Sequence, residues 1–513
     1  MPKPNLVTPQ VIFDRDPATY HLTGEDDCDC SGGDCACNRD SSVISMDSYP
    51  LALSEMSLVR SFDSKTLALE EDYVLCYGPL HRPTVLNSSG LILLSLFERT
   101  AKASSIPSTW WNKWGDDSIY EALRQMYSAR LLVQENCSFP DIDESLGTLA
   151  AWLHVTNRCN LRCDYCYVPH RCEDMPFEIG RAAIKATIHS AITHNCHHVK
   201  LKYAGGEPLL RFPLVTELHQ YAQSLALREG LTLDGVVLSN GTLLNDRIAK
   251  TMQSLGLRLM ISLDGYERWH DVQRHYAGGK SSFGDVWSGI LIALDHDLVH
   301  NISITVSGRN ADGLPELVDW LLDHNLPFSF NFYRENDFSS HSVDLRLSED
   351  KIVKGMLAAY RVIEDKLPLR SLLSTLDRAD FSTPHVYACG AGRNYIAFDP
   401  HGRVAKCQMQ LHKPVATICN EDPLALMQAD EAGLQNIPVE NKKGCYSCEW
   451  KYWCGGGCPL VTFMATGQYD VKSPNCHIYK ALYPEAIRLE GLRLLKYSDS
   501  AMRTQRLSVD AFA

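Results

Sequence analysis

The sequence predicts an α/β protein whose centre is a partial (β/α)6 TIM barrel, preceded by a winged-helix-like domain and followed by a cysteine-rich domain. Three observations lead to this prediction. Strand-like and helix-like segments alternate from about residue 149 to 334, a pattern typical of a parallel sheet with helices outside it. Strand and capped-helix patterns precede this region. Cysteines concentrate after residue 386.

Residues 1–48 are rich in Asp, Gly, Ser and Pro, and they hold nine acidic residues against three basic ones. Because they show no apolar period, we expect a disordered acidic tail. A small metal site is the alternative, since the tail carries four closely spaced cysteines: Cys28, Cys30, Cys35 and Cys37.

Residues 50–138 have the pattern of a small winged-helix-like unit. DYVLCYG indicates a strand, LNSSGLILLSLFERT a helix that starts after Asn87 and Ser88, and DDSIYEALRQMYSARLLVQE a second helix running into a strand. The unit holds eight Lys/Arg and ten Asp/Glu, which disfavours a DNA-binding winged helix. Its pattern resembles the RiPP recognition element, the peptide-binding chaperone domain of pyrroloquinoline quinone biosynthesis. The resemblance implies binding of a precursor peptide's leader.

Six strand-like runs define the barrel at 149–340: AAWLHVTN, HVKLKYAG, GVVLSNG, RLMISLDG, ISITVSG and PFSFNFY. Helical segments such as RAAIKATIHSAITH and LPELVDWLLDH separate them. Six units are two short of a closed eight-stranded barrel, so we expect an open one with its active site at the strand C-termini. A helical connector (341–385), the cysteine-rich domain (386–480) and a C-terminal helix and tail (481–513) follow.

The overall composition limits the partners and the compartment. Lys+Arg of 49 against Asp+Glu of 62 gives a net charge of -13, which argues against binding nucleic acid or an anionic membrane. The apolar runs are far shorter than a membrane span, and no signal peptide precedes them. Nineteen cysteines in such a chain indicate metal-binding or catalytic thiolates in a cytoplasmic protein rather than disulfides.

Cys159, Cys163 and Cys166 stand as C-x-x-x-C-x-x-C directly after the first barrel strand. Thiolates suit iron–sulfur clusters, and three on a tight loop can bind three irons of a four-iron cube. The fourth iron would stay open to a substrate or cofactor. A structural zinc loop is the alternative, but zinc sites close with four ligands, and only His154 and His170 flank the loop.

This loop, CNLRCDYC, together with the GGEP that follows the second strand, resembles the radical S-adenosylmethionine (SAM) superfamily. The resemblance implies a [4Fe-4S] cluster whose open iron binds SAM, and reductive cleavage of SAM to a 5′-deoxyadenosyl radical. In it, the glycine pair lets the backbone approach the SAM ammonium group, and Glu207 supplies compensating charge. The implied cofactor-binding residues are Tyr165, Gly205, Gly206, Glu207, Pro208, Ser239, Asn240, Ser262, Asp264 and Arg274.

Seven cysteines of the C-terminal region agree in spacing with the SPASM motif of this superfamily, which holds two auxiliary [4Fe-4S] clusters. The resemblance implies that Cys389, Cys407 and Cys458 bind the first auxiliary cluster. It assigns Cys445, Cys448, Cys454 and Cys476 to the second. A pair of zinc knuckles is the alternative.

Two positions depart from the sulfatase-maturing members of the superfamily. Thr383 stands where they carry an extra cysteine, which points to an open iron on the first auxiliary cluster. Gln408 stands where they place a catalytic Asp, and an amide cannot accept a proton as a base. Both departures count against formylglycine formation.

Together these patterns predict a radical SAM/SPASM maturase that abstracts hydrogen from a ribosomally made precursor peptide and forms a thioether or carbon–carbon crosslink. The expected electron donor is a flavodoxin or ferredoxin, with no nucleic-acid or membrane partner. The alternatives are a maturase of a folded enzyme, of sulfatase or quinohaem-dehydrogenase type, and a non-enzymatic iron–sulfur redox regulator. Four residues near predicted strand ends are candidate general bases: Asp264, Tyr276, Tyr333 and Glu335.

Overall fold

The structure is a computed structural model that describes residues 7–14, 53, 56–70, 72–135, 147–339, 342–377 and 379–498. The four cysteines between residues 28 and 37 lie outside the described residues, so the alternatives for the tail around them stay open.

An antiparallel unit precedes the barrel. Its four-stranded sheet has the order β1–β5–β4–β3, while β2 and β6 pair with each other. The strands are β1 (Val11–Ile12), β2 (Leu58–Arg60), β3 (Lys65–Glu70), β4 (Tyr73–Gly78), β5 (His81–Asn87) and β6 (Leu132–Gln134). Between β5 and β6 lie the helices α1 (Ser88–Ser95), α2 (Ser108–Trp114) and α3 (Asp116–Ser128). The predicted strand and two helices are present, and Asn87 caps α1 by accepting the N–H of Gly90 at 2.8 Å.

The expectation of a disordered tail is wrong for residues 7–14. Val11 and Ile12 form β1, antiparallel to Leu86 and Val85 of β5. Val11 and its neighbour Phe13 are buried in the core of this unit. Three consecutive apolar residues are too short a run to show a period, although burying them stabilises a strand.

Six parallel strands form the barrel and neighbour one another in chain order, as the alternation predicted. They are β7 (Thr148–Thr156), β8 (His198–Gly205), β9 (Thr232–Ser239), β10 (Arg258–Ser262), β11 (Val299–Val306) and β12 (Phe328–Phe332). The helices are α4 (Phe177–Thr193), α5 (Phe212–Glu229), α6 (Asp246–Leu255), α7 (Arg268–Asp271), α8 (Phe283–Asp295) and α9 (Leu314–Asp323).

The barrel sheet continues into the cysteine-rich region. After α10 (Glu349–Lys366), β13 (Tyr395–Phe398) pairs in parallel with β7. The antiparallel strands β14 (Arg403–Ala405) and β15 (Ala416–Thr417) complete a nine-stranded sheet. Four helices follow: α11 (Pro423–Ala429), α12 (Lys451–Cys454), α13 (Pro459–Thr466) and α14 (Cys476–Lys496). Pairing of β13 with β7 brings the residues after β14 to the open side of the barrel.

Helix α14 begins at Cys476, before the boundary expected at 480, and it packs against the N-terminal sheet. A Cβ on Gly491 would lie 3.0 Å from the side chain of Leu69, so the glycine permits this close packing. Arg493, buried in the same helix, pairs with Asp14 at 3.0 Å and with Glu490 at 2.6 Å. Because a buried charge is costly without its partners, this network stabilises the packing of α14 against the segment that contains Asp14. Within the described part of the chain, no helix has the length and apolarity that spanning a bilayer requires.

Candidate active site

A pocket enclosing about 1070 Å³, part of it open to solvent, lies at the carboxyl ends of the barrel strands. The three-cysteine loop that follows β7 forms one wall. Most residues predicted to bind the cluster and SAM line it: Cys159, Cys163, Tyr165, Cys166, Gly205, Gly206, Ser239, Asn240, Ser262 and Arg274. Folding therefore gathers side chains from several strand ends in one place. The lining does not include Glu207, Pro208 or Asp264.

The three thiols of the loop lie close enough to act on one another electrostatically. Burial raises the pKa of Cys159 to about 12, and it also raises the pKa values of Cys163 and Cys166. The sulfur atoms of Cys159 and Cys166 each accept a backbone N–H at 3.4 Å, from Leu161 and Val168. The loop thus orients its sulfurs, and binding a metal cluster would displace their protons.

Gly205 ends β8 and Gly206 follows it, where the strand meets the three-cysteine loop. A Cβ on Gly205, whose φ is +155°, would lie 2.4 Å from the carbonyl oxygen of Thr156. A Cβ on Gly206 would lie 2.2 Å from that of Arg158. Gly206 N–H donates to Thr156 O at 2.7 Å. Beyond the role implied by the family resemblance, the glycine pair lets β8 support the loop that carries Cys159.

We expect Gly206→Ala to displace the cysteine loop, because the new Cβ overlaps the Arg158 carbonyl. Overpacking of this kind costs about 1–3 kcal/mol in stability. The variant should show a lower Tm and fewer iron atoms per chain after anaerobic reconstitution. The matched control is Gly284→Ala in α8, where an added Cβ meets nothing within 4 Å. Equal iron content in the two variants would contradict this account.

Glu207 is fully buried behind the pocket wall. Its carboxylate accepts hydrogen bonds from Leu209 N–H at 3.0 Å, Ser239 Oγ at 2.8 Å and Asn240 N–H at 2.7 Å. Burial raises its pKa, although these donors oppose the shift. Asn240 Nδ2 in turn donates to Asn160 Oδ1 at 2.9 Å. Glu207 therefore ties the ends of β8 and β9 to the cysteine loop, and Pro208 starts the short 3-10 helix Pro208–Arg211 beside it.

Asp264 is also fully buried, and it positions the aromatic residue of the loop. It accepts hydrogen bonds from Tyr165 OH at 2.6 Å and Gln273 Nε2 at 2.9 Å. The guanidinium of Arg274 donates to the same tyrosine oxygen. Burial alone would lower the pKa of Arg274, but Cys163, Tyr165 and Asp264 raise it well above its ordinary value. Arg274 is thus a fixed cation in the pocket wall.

Four buried nitrogens of residues that line the pocket have no hydrogen-bond partner among the described residues: Trp152 Nε1, His170 Nδ1, Arg274 Nε and Gln408 Nε2. Each such buried nitrogen costs roughly 1–3 kcal/mol when it is left unpaired. A pocket with three thiols on one wall and unpaired donors on the others fits a cluster together with a ligand rich in oxygen acceptors. SAM, with its carboxylate and ribose, is such a ligand.

The four candidate general bases differ in placement. Tyr333 lines the pocket, with its hydroxyl 3.1 Å from Ser339 Oγ. Asp264 is saturated by donors behind the wall. Tyr276 donates to Asp285 at 2.6 Å, and Glu335 pairs with Arg346 at 3.2 Å. Neither Tyr276 nor Glu335 lines the pocket. Of the four, only Tyr333 meets the geometric requirement for contact with a substrate.

Cys389, Cys407 and Cys458, implied as ligands of the first auxiliary cluster, pack into one buried group with Met409. Tyr167 packs against the same group. Both Met409 and Tyr167 also line the pocket. The first auxiliary cysteine set therefore lies next to the active-site pocket.

The second set lies against an aromatic core. Cys445 interacts electrostatically with Cys448, Cys454 and Cys476, which places the four thiols near one another. Trp450, between the second and third of them in sequence, stacks on Tyr77 of β4 with ring centroids 5.8 Å apart.

In the described ranges, no group of three or more His, Cys, Asp or Glu converges to hold a single metal ion.

Sequence reasoning missed several pocket residues: Trp152, Tyr167 and Met409, and the donor role of Gln408. Trp152 falls within an almost continuous apolar strand, where a buried indole looks like core packing. Tyr167 and Met409 directly follow motif positions, so their closeness to the motif was the only signal. Tyr167 and Met409 connect the pocket to the first auxiliary set because β13 pairs with β7. No local sequence pattern shows this pairing.

Comparison with known proteins agrees with this geometry. Residues 153–321 match the Radical SAM superfamily model. A serine-type anaerobic sulfatase-maturating enzyme of Klebsiella aerogenes is 25% identical over 327 residues, which cover 59% of this chain and 77% of that enzyme. An uncharacterised protein of Methanocaldococcus jannaschii is 32% identical over 171 residues, 33% of this chain and 57% of that protein. The chain thus spans less than two thirds of that relative.

A solved structure of the same fold is native anSMEcpe with bound AdoMet and Cp18Cys peptide. The superposition has a TM-score of 0.55 at 17% identity, covering 67% of this chain and 99% of that one. Most of the pocket lining, including the cysteine loop, lies in the part of the chain that matches the radical SAM domain. Residues 153–321, which carry the match to the Radical SAM superfamily model, span most of the six-stranded barrel of this chain.

Proposed function

We propose that the chain is a radical SAM/SPASM maturase that crosslinks a ribosomally made precursor peptide. The observation that carries this proposal is the contact between the pocket and the first auxiliary cysteine set through Tyr167 and Met409. A substrate held in this pocket would lie within reach of both the Cys159 loop and the first auxiliary cysteine set. A crosslink removes two hydrogen atoms, which are two protons and two electrons in total, so a redox centre beside the pocket suits it.

In this proposal Cys159, Cys163 and Cys166 hold the SAM-binding [4Fe-4S] cluster, and the two C-terminal sets hold auxiliary [4Fe-4S] clusters. The group bound at the loop would supply a 5′-deoxyadenosyl radical that abstracts hydrogen from the peptide. Arg274 and the end of β9 would orient SAM. Flavodoxin or ferredoxin would supply the electron.

Gln408 supports crosslinking over formylglycine formation. Its Oε1 accepts the hydroxyl of Tyr395 at 2.9 Å, and its buried Nε2 is left without a partner at the pocket wall. A side chain in this state donates a hydrogen bond and accepts no proton. We propose that it holds a carbonyl oxygen of the substrate rather than deprotonating the substrate.

The first auxiliary set supplies three sulfurs, and Thr383 adds none. The N–H of Thr383 donates to Asp380 at 3.3 Å, and its hydroxyl lies 3.3 Å from Ser382 Oγ. We propose that one coordination position stays open to a cysteine thiolate of the substrate, which favours a thioether product. A spectroscopic demonstration of four protein ligands on that cluster would contradict this part of the proposal.

The N-terminal unit would bind the leader of the precursor. Its strand β3 lies at an edge of the sheet and alternates half-buried and exposed residues, so an extended peptide could pair with it. The unit is fixed to the catalytic part by α14 and by the stacking of Tyr77 on Trp450. A leader bound there would hold the core peptide at the pocket by raising its local concentration.

A second candidate is a maturase of sulfatase type, because sulfatase-maturating enzymes are among the relatives. This candidate predicts that a peptide from a folded enzyme is modified without any leader.

The test uses the full-length, anaerobically reconstituted protein with SAM and a reductant. We expect a precursor peptide encoded beside this gene to bind and to lose two hydrogen atoms by mass spectrometry. The matched control is the same peptide without its leader, which should bind more weakly and stay largely unmodified. Modification of a sulfatase-derived peptide, with no reaction of the precursor, would favour the second candidate.

A further inference from the structure

Lys442 is a fully buried lysine within electrostatic reach of both auxiliary cysteine sets. It lies three residues before Cys445, whose N–H donates to the Lys442 carbonyl at 3.0 Å. Its Nζ donates to the carbonyl oxygen of Gly455 at 3.3 Å. Gly455 directly follows Cys454 of the second set, and the loop it begins leads to Cys458 of the first. The ammonium is therefore bound to the segment that joins the two sets.

The chain makes room for this side chain with a glycine. A Cβ on Gly456 would lie 2.5 Å from Lys442 Cδ and 2.9 Å from its Nζ. The φ of Gly456 is +81°, a conformation that side-chain-bearing residues rarely adopt. Both the shape of the loop and the absence of a side chain at residue 456 thus accommodate the buried ammonium.

Cysteines are the groups that can balance the charge of Lys442. Within the described residues, no carboxylate lies within ion-pair distance of its Nζ, whereas it interacts electrostatically with two cysteines of each set: Cys445 and Cys454, and Cys389 and Cys458. A buried ammonium without an anionic partner is strongly disfavoured. Four sulfur atoms that carry negative charge when they bind metal would supply that partner.

We propose that Lys442 is a shared countercation that raises the reduction potentials of both auxiliary clusters. This inference rests on the proposed function, in which both cysteine sets hold clusters. A fixed positive charge in a dry interior stabilises the more negative, reduced state of a nearby cluster. Because the ammonium acts electrostatically on cysteines of both sets, it stabilises an electron on either one. It would help the auxiliary region accept the electron that crosslinking releases at the pocket.

The experiment is a redox titration of anaerobically reconstituted full-length protein, followed by electron paramagnetic resonance without substrate. We expect Lys442→Met to lower the midpoint potential of at least one auxiliary cluster by about 59 mV or more, equivalent to a tenfold change in a one-electron equilibrium. The potential of the cluster at the Cys159 loop should stay unchanged. The matched control is Lys443→Met, one residue away, where the lysine is exposed and pairs with Asp470 at 2.9 Å. It should leave all potentials unchanged.

Equal potentials in Lys442→Met and wild type, with full iron content, would overturn the inference. If Lys442→Met does not load its auxiliary clusters, Lys442→Arg decides. If Lys442→Arg binds its auxiliary clusters and these have wild-type potentials, the positive charge is what matters. If Lys442→Arg also fails to bind them, Lys442 only fills space. A wild-type protein with about four iron atoms per chain rather than about twelve would instead refute the cluster content of the proposed function.

Discussion

Cys163→Ala should reduce the formation of 5′-deoxyadenosine from SAM to background. Cys163 is the central cysteine of the loop, and its thiol lies beside Arg274 and within the electrostatic reach of Cys159 and Cys166. With one ligand removed, the loop presents two sulfurs to a cluster that needs three. The measurement is chromatography of the anaerobic reaction of reconstituted protein with SAM and dithionite.

The matched control is Cys172→Ala. Cys172 is exposed and lies six residues beyond the loop, and it does not line the pocket. This variant should form 5′-deoxyadenosine at the wild-type rate. Equal loss of product in both variants would mean that general thiol chemistry, rather than the three-cysteine loop, is responsible for the activity.

Cys454→Ala should separate cleavage of SAM from modification of the peptide. Cys454 belongs to the second cysteine set, away from the pocket lining, so the SAM site should remain intact. We expect some uncoupled 5′-deoxyadenosine, while modified peptide falls to background. Both products are measured in one reaction by mass spectrometry.

Folding effects require their own control in this experiment. Cys196 is a buried cysteine of the barrel core, and nothing assigns it a metal-binding role. Cys196→Ala should lower Tm modestly and keep both products. If Cys454→Ala loses cleavage as completely as Cys163→Ala does, the auxiliary region is needed for folding rather than for the later step.

The barrel could be predicted because its evidence is local. Each of the six strands is a short apolar run that ends in polar residues, and parallel alternation determines where those ends meet. Cys159 and Gly206 could be placed together before the structure was known, since both follow neighbouring strands. Strand β1 could not be predicted, because the three apolar residues 11–13 are too few to show a period.

The parts of the site that escaped prediction depend on contacts between distant segments. The sequence predicts Glu207 and Asp264 as SAM contacts, but it does not show the hydrogen bonds to distant residues through which both buried carboxylates also hold the pocket wall. Lys442 has the sequence context of an exposed lysine beside another lysine, and only folding buries one of the two. Gln408 illustrates the same limit, because its role as a donor depends on the hydroxyl of Tyr395 in β13, which occupies its amide oxygen.

The central claim is that the pocket at the Cys159 loop cleaves SAM reductively. The most direct measurement is 5′-deoxyadenosine formation by the wild-type protein under strictly anaerobic conditions, with iron content determined in the same sample. We expect 5′-deoxyadenosine and methionine in equal amounts, dependent on a reductant. A fully iron-loaded protein that forms neither product would contradict the claim.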